Sequence, residues 1–532
     1  MSVNRMVAGM VGGGVGRRAA SAASKQAESG KREGGIVRGL EKANNECFLG
    51  NAQAPWPPHR LEPSVSNTTD VLREPMVSSF QVIDRLSPEA SELSMPKASS
   101  HHRALLLTAG AARDAAGTDL RDAAILIQGG RIAYCGPRQG APAPATVCGE
   151  GVERMNLGPG VMVLPAMVNA HAHLELTSIG PKPYGGDFLD WVRLVMEERP
   201  QTPAAHAESV RKGVDMSIAG GVIAVGDIGS VSGAKPTRAV LKDVPLMGVL
   251  FDEVLGLEEA RWRPSVQAAG RWARQGALGL WKTGIEGHAP YTTPLTAMLA
   301  AAEHTAQAGG VLKIHAAELL EEDAFVRTGD GVFRERFEAM GFWSPEVADQ
   351  YGRGLSPIQW LEPVLRAAPC LLAHCNYLSD EDIALIAATG TSVVYCPLAS
   401  AYYGHAAQTP HRYRDLLAAG VNVCLGTDSI LCQPPGSPTP MGLLPAMRLL
   451  FQRDGVSPEL LLEMATMRGI RGLGLGKQPD VSSEKTDLRN VATLLPGAPG
   501  RVIGVGFDPL SSVDPLKQVL SASDFPGSLR RA

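Results

Sequence analysis

The chain has 532 residues, 44% apolar and 20% charged, with 50 Lys and Arg against 54 Asp and Glu for a net charge of −4. That length and composition fit a soluble globular protein of two to four domains, or fewer where one is an α/β barrel. They exclude the basic field of a protein that binds nucleic acid or anionic membranes. The 8 cysteines contain no C-x-x-C pair, which argues against a disulfide framework or a cysteine-built zinc module and suits a reducing cytoplasm. No apolar run approaches the roughly 20 residues of a membrane span.

Residues 1–100 open with a small-residue-rich, basic stretch, "MVAGMVGGGVGRRAASAASKQAESGKREGG". By the compositional criteria for disorder this segment is expected to be a disordered extension. A transit-type targeting segment and a start codon placed too far upstream are the alternatives. Residues 101–162 read as the first part of a small β domain. There, "AAILIQGGRIAYCG" places two apolar runs around Gly129 and Gly130, the signature of a hairpin. From 163 to 485, short strand-like runs such as "GVIAVGDIG" and "APCLLAHCNYL" alternate with helical patterns such as "PLTAMLAAAEHTAQAG". Repeated about eight times, that alternation predicts a (β/α)8 barrel. Residues 486–532 return to strand-like runs with Gly and Pro turns, completing the small β domain before a tail. The expected fold class is therefore α/β: a TIM-type barrel with a small flanking β-sandwich built from N- and C-terminal segments.

Chemistry gathers at the strand ends. In "LPAMVNAHAHLELT", His171 and His173 lie two apart, so both face one side of a strand end and can share a metal. Alone, such a pair is weak evidence. His315 follows "GGVLKI", His374 follows "PCLLA" and Asp428 follows "NVCLGT". Each closes an apolar run, where a barrel projects its functional groups.

With these motifs, "NAHAHLEL", "IHAAE", "AHCNYL" and "LGTDS", the chain resembles the amidohydrolase superfamily, in its deaminase and chlorohydrolase branch, over roughly residues 103 to 510. "HAHLEL", "HAPYT" and "SVVYCP" make it similar to aminodeoxyfutalosine and S-adenosylhomocysteine/methylthioadenosine deaminases. The resemblance implies one divalent metal, Zn first and Fe or Mn as options, held by His171, His173, His315 and Asp428. It implies catalytic roles for Glu318 as proton shuttle, His374 as the group orienting the water, and Asp428 as proton acceptor. His288, Glu318, Trp191 and Arg199 would meet the substrate. For Trp191 and Arg199 the residue pattern favours a plainer reading, an amphipathic helix with a buried Trp and a solvated Arg. Binuclear relatives carry a carboxylated lysine ending the fourth strand; Lys282 lies too early for that role, so a single metal is expected.

The activity so implied is hydrolysis of a carbon–nitrogen bond, foremost deamination of an adenosine-like or other aminated heterocycle with release of ammonia. Hydrolysis of a cyclic amide or a chlorinated heterocycle uses the same scaffold, and a catalytically inactive scaffold protein is the alternative of a different class. The expected partner is a small heterocyclic substrate, with no nucleic acid and no membrane; a homodimer is among the open oligomeric states. A zinc-deaminase design built on H-x-E and P-C-x-x-C is disfavoured, because "PCLLAHC" has the wrong spacing. Two departures from the pattern stand out: Leu398 where a basic residue is usual, and the insertion "SILCQPPGSPTP", expected as a lid.

Overall fold

A computed structural model describes residues 80–83, 104–142, 152–230, 234–437, 439–476 and 490–522. The expectations for residues 1–79, for the barrel segment's end at 485 and for the tail beyond 522 lie outside the described residues. Strands β1 (Phe80–Ile83), β2 (Leu105–Arg113), β3 (Asp119–Gln128), β4 (Arg131–Pro137), β5 (Glu153–Asn156), β6 (Val161–Pro165) and β15 (Val502–Gly506) form one seven-stranded sheet. Its order is β1-β15-β6-β2-β3-β4, with β5 beside β2. One half of β2 pairs with β5 and the other with β6, so the two parts of the flanking sheet are joined through β2. The β3–β4 hairpin turns on Gly129 and Gly130, at φ 57° and 73°. Both central residues of that turn need positive φ, which glycine adopts without steric cost.

Two boundaries move. The segment up to residue 100, expected outside the fold, contributes β1, which pairs antiparallel with β15 from Phe80↔Val505 to Ile83↔Val502. The barrel starts at β7 (Met167–Ala172), because Val161–Pro165 is still bound to β15 in the flanking sheet. At the other end, the helix Pro515–Ser521 packs on the barrel helix Leu444–Asp454, and Arg448 donates to Val519 O at 2.8 Å. The C-terminal segment thus supplies one strand to the sheet and one helix to the barrel's outer layer.

The barrel strands are β7, β8 (Val222–Gly229), β9 (Met247–Val254), β10 (Trp281–Gly287), β11 (Leu312–Ala316), β12 (Cys370–His374), β13 (Ser392–Tyr395) and β14 (Val423–Leu425). They run parallel in chain order, as (β/α)8 connectivity requires. Closure is made by a parallel bridge between Ala172 and Asp428, with Thr427 N and Asp428 N both donating to His171 O. Asn169 fastens the same seam: its amide donates to Thr427 Oγ1 at 2.7 Å and accepts from Thr427 N at 3.1 Å. The helices between strands start and stop on local signals. In Pro203–Ala219, Thr202 caps by accepting from Ala205 N, Pro203 opens the first turn and Gly220 ends it. Among the described residues, no helix is long and apolar enough to cross a membrane.

Candidate metal centre and active site

Four strand ends bring the expected residues to one place. His171 lies in β7 and His173 just beyond it, His315 in β11, His374 at the end of β12, and Asp428 after β14. The Nε2 atoms of His171 and His173 each lie 3.4 Å from Asp428 Oδ1. Ring centroids of His171 and His315 are 4.8 Å apart, and those of His315 and His374 are 5.3 Å apart. Candidate ligand atoms of His171, His315 and His374, and of His171, His173 and Asp428, fall within 4.8 Å of one another. His171 is fully buried and neither of its ring nitrogens has a hydrogen-bond partner. Buried polar atoms are almost always paired, so an orphaned imidazole facing three further imidazoles and a carboxylate fits a divalent cation with N/O preference.

The backbone is strained where it presents these groups. Asp428 (φ 59°), His374 (φ 71°), Cys375 (φ 54°) and Ala317 (φ 50°) all occupy the left-handed region although none is glycine. Such conformations cost roughly 1–3 kcal/mol each and persist only where surrounding structure enforces them, typically at functional sites. Gly426 shows how tight that enforcement is. A Cβ there would lie 2.8 Å from His171 Cβ, 2.9 Å from Val394 Cγ2 and 3.0 Å from Cys396 Sγ.

Electrostatics divide the two carboxyls. Burial works to raise Asp428, but the His171 and His173 imidazoles, each 3.4 Å from its Oδ1, outweigh it and hold the group well below the usual carboxylate range. Glu318 is pushed well above that range by burial and by the nearby Asp428 and Glu322 carboxyl groups. Its turn is fixed by Glu322, which accepts from Glu318 N at 2.8 Å and Ala317 N at 3.0 Å. His374 Nε2 stands 3.6 Å from Glu318 Oε1, and burial keeps that imidazole neutral.

His288 lies beside the cluster, its ring 5.3 Å from that of His315. Its Nδ1 is 2.6 Å from Thr292 Oγ1, and that hydroxyl donates to Ala289 O. The ring therefore donates from Nδ1 and keeps a lone pair on Nε2, burial again holding it neutral.

Other expectations meet a different arrangement. Trp191 sits half-buried on the helix Phe188–Glu198, stacked on Phe188 and edge-on to Tyr403 at 5.4 Å. Arg199, expected either at the substrate or in solvent, is bound to Glu175 Oε1 at 2.8 Å and Ser230 Oγ at 3.0 Å. Glu175 is buried in that network, its Oε2 accepting from Ser230 at 2.6 Å. The insertion after Asp428 is no lid along its first half: Ile430, Leu431, Cys432 and Gln433 are buried, and Gln433 donates to Thr427 O at 2.7 Å. Cys432 Sγ lies 3.6 Å from Asp428 Oδ2. Leu398 is buried, as are Cys375 and Cys396.

Sequence reasoning missed four charged residues around the histidines, three of them buried (Asp227, Glu286 and Lys313) and Glu253 partly so. Asp227 accepts from Leu174 N at 2.9 Å, beside His173, and burial raises it to about 8. Glu253 stands 3.9 Å from His288 Nε2 and is also pushed to about 8 by burial and by Glu286. Glu286 Oε1 is 3.0 Å from His315 Nδ1, and Lys313 lies two residues before that ligand. Asp227 and Lys313 each interrupt an apolar strand run, while Glu253 follows Asp252 and Glu286 shares its strand with Lys282; the available signal was a charge within a strand otherwise read as core.

Residues 162–478 match the profile described as the amidohydrolase family. A 5-methylthioadenosine/S-adenosylhomocysteine deaminase of Symbiobacterium thermophilum is 28% identical over 369 residues, 66% of this chain and 76% of that protein. An aminodeoxyfutalosine deaminase of Deinococcus radiodurans is 30% identical over 335 residues, covering 60% and 75% of the two chains. Among solved structures, an adenosine deaminase from Xanthomonas campestris with bound zinc superimposes with a TM-score of 0.57 at 19% identity, over 79% of this chain and 89% of that one. That structural likeness supports the barrel fold.

Proposed function

The chain belongs to the amidohydrolase family and is a hydrolase of carbon–nitrogen bonds; from that premise we propose that it deaminates an adenosine-like heterocycle using one divalent metal. The observation that carries this reading is the convergence of the orphaned, buried His171 with His173, His315, His374 and Asp428, with Glu318 placed 3.6 Å from His374. The relatives named as deaminases of methylthioadenosine, S-adenosylhomocysteine and aminodeoxyfutalosine support the substrate class. Zinc is the proposed ion, since three or four imidazoles with one carboxylate suit it and the zinc-bound adenosine deaminase shares the fold. The free, mostly buried cysteines suit the reducing cytoplasm as the site of action.

His171, His173, His315 and Asp428 would hold the ion, which when bound lowers the pKa of a water toward neutrality. Asp428 is ionised and accepts the proton of the attacking water. His374, neutral and 3.6 Å from Glu318, orients that water by hydrogen bonding. Glu318 gives its proton to the ring nitrogen next to the amine-bearing carbon, so that electrons moving from the attacked carbon have a destination. The proton then taken up by Asp428 leaves with the amine as ammonia, and Glu318 is reprotonated from the product hydroxyl. His288 Nε2, an acceptor, faces a donor group on the substrate.

The test is ammonia release by zinc-loaded protein over adenosine, methylthioadenosine, S-adenosylhomocysteine, aminodeoxyfutalosine, guanine and cytosine. Turnover of at least one adenosine derivative, and none of cytosine or guanine, is expected. Metal-replete protein inert toward every adenosine derivative would overturn the reading.

A further inference from the structure

Lys313 is among the largest fully buried side chains of the molecule, at 0% exposure. It lies on β11 two residues before His315, so both project into the barrel from the same wall. Its Nζ crosses the interior and donates to Ala170 O at 2.7 Å, on β7. In an eight-stranded barrel the first and fifth strands stand opposite one another, so this hydrogen bond spans the barrel directly beneath the histidines.

The acceptor carbonyl lies in an irregular stretch. The β7–β8 register shifts twice, between Met167 and Val168 and again between Asn169↔Val225 and Ala172↔Asp227, and the second shift places Ala170 and His171 in a bulge. A bulge leaves backbone groups unpaired and re-aims the side chain it carries. Gly226 on β8 leaves room for the displaced carbonyl, since a Cβ there would lie 2.5 Å from Ala170 O. The ammonium also stands 5.2 Å from the face of Phe251 on β9. The bulge that turns His171 toward the centre is therefore tied to the strand that carries His315.

We propose that Lys313 is a positioning residue: it pins the bulged Ala170–His171 segment from the opposite wall and so sets the spacing of His171 and His315, now 4.8 Å between ring centroids. The proposal rests on the metal-ligand reading above. The competing role is a counter-charge to the buried Asp227 and Glu286 carboxylates, which would affect folding but not the geometry of the ligands.

The experiment uses the full chain stripped of metal and titrated with zinc against a competing chelator, and separately loaded with cobalt(II) for its visible spectrum. Lys313→Met keeps an unbranched side chain, ending where the Lys Cε lies, while removing donor and charge. It is expected to weaken zinc binding at least tenfold and to change the cobalt(II) bands, with the metal-free melting temperature little altered. Lys313→Arg, which keeps a donor and a charge, is expected to recover part of that affinity. Wild-type zinc affinity and an unchanged cobalt(II) spectrum in Lys313→Met would overturn the proposal. Should that variant fail to fold, Lys313→Gln decides. Its amide is one bond too short to reach Ala170 O, so wild-type zinc affinity there refutes the pin and a tenfold loss supports it. A wild-type chain that binds no divalent metal removes the ligand reading itself, an outcome distinct from failure of Lys313 alone.

Discussion

Gly426→Ala probes the strand-end geometry with one methyl group. Gly426 lies between β14 and Asp428, and its φ is not in the left-handed region, so alanine is conformationally allowed there. The effect is purely steric. The added Cβ meets His171 Cβ at 2.8 Å, Val394 Cγ2 at 2.9 Å and Cys396 Sγ at 3.0 Å, all inside ordinary contact distance. None of these atoms is the free end of a flexible chain: His171 and Val394 sit on β7 and β13, and Cys396 follows β13 directly. Relief requires the His171 strand end or the Asp428 turn to move by several tenths of an ångström. Overpacking of this kind costs about 1–3 kcal/mol, and the same displacement separates His171 from Asp428. Denaturant unfolding of the metal-free protein should show that loss, and zinc titration should show weaker binding, a tenfold change for each ~1.4 kcal/mol. Gly185→Ala is the control, because nothing lies within 4 Å of the added atom. Wild-type stability together with full zinc affinity in Gly426→Ala would refute the claim that His171 is held by contact with this turn.

Glu318→Gln keeps shape and matches the neutral form that burial enforces, so metal content should persist while kcat falls about 10²–10⁴-fold; a loss below tenfold removes Glu318 as the proton donor. Arg199→Met strands the buried Glu175 carboxylate and should cost about 2–4 kcal/mol of stability; an unchanged stability with a raised KM would instead place Arg199 on the substrate. Stability of the metal-free protein should fall between pH 7 and 8. Asp227, Glu253 and Glu322 are each held at about 8, so the native state keeps protons that the unfolded chain has already lost, and unfolding free energy drops as pH rises. The buried histidines His171, His206, His288, His374, His405 and His411 are held below the ordinary imidazole range, so the last protons their unfolded counterparts lose above pH 7 offset part of the fall, whereas His173, which is raised, adds to it. Lys313, lowered to about 8 by burial, offsets a smaller part, because there the unfolded chain binds the extra proton. The fall is at most about 1 kcal/mol per carboxyl, and flat or rising denaturation midpoints across this range would contradict it.

The clustering of the site histidines with Asp428 was legible because a barrel puts its chemistry where strands end, and strand ends are visible as places where apolar runs stop. His171, His173, His315, His374 and Asp428 each stand at such a stop, and Glu318 follows a ligand closely enough to share its cavity. The Gly129–Gly130 hairpin was legible for a similar reason, since a two-residue turn with both φ positive is a local requirement written in two residues. Reading failed where direction or distance along the chain decided the outcome. Phe80–Ile83 pairs with Val502–Gly506, more than 400 residues away, and nothing in a four-residue run announces such a partner. For Arg199, expected either at the substrate or in solvent, the partners Glu175 and Ser230 stand 24 and 31 residues away, and only folding brings them to it.

The sequence by itself determined which side chains could serve as ligands, acid and base, since that follows from residue type and from two-residue alternation along strands. The tertiary structure alone decided how those groups are charged and aimed. Burial makes Glu318 an acid and leaves His374 neutral, while convergence of His171 and His173 keeps Asp428 ionised. A bulge at Ala170–His171, met across the barrel by Lys313, turns one ligand toward the others. Desolvation and through-space contact depend on what the closed barrel encloses, and that is a property of the whole chain rather than of any segment of it.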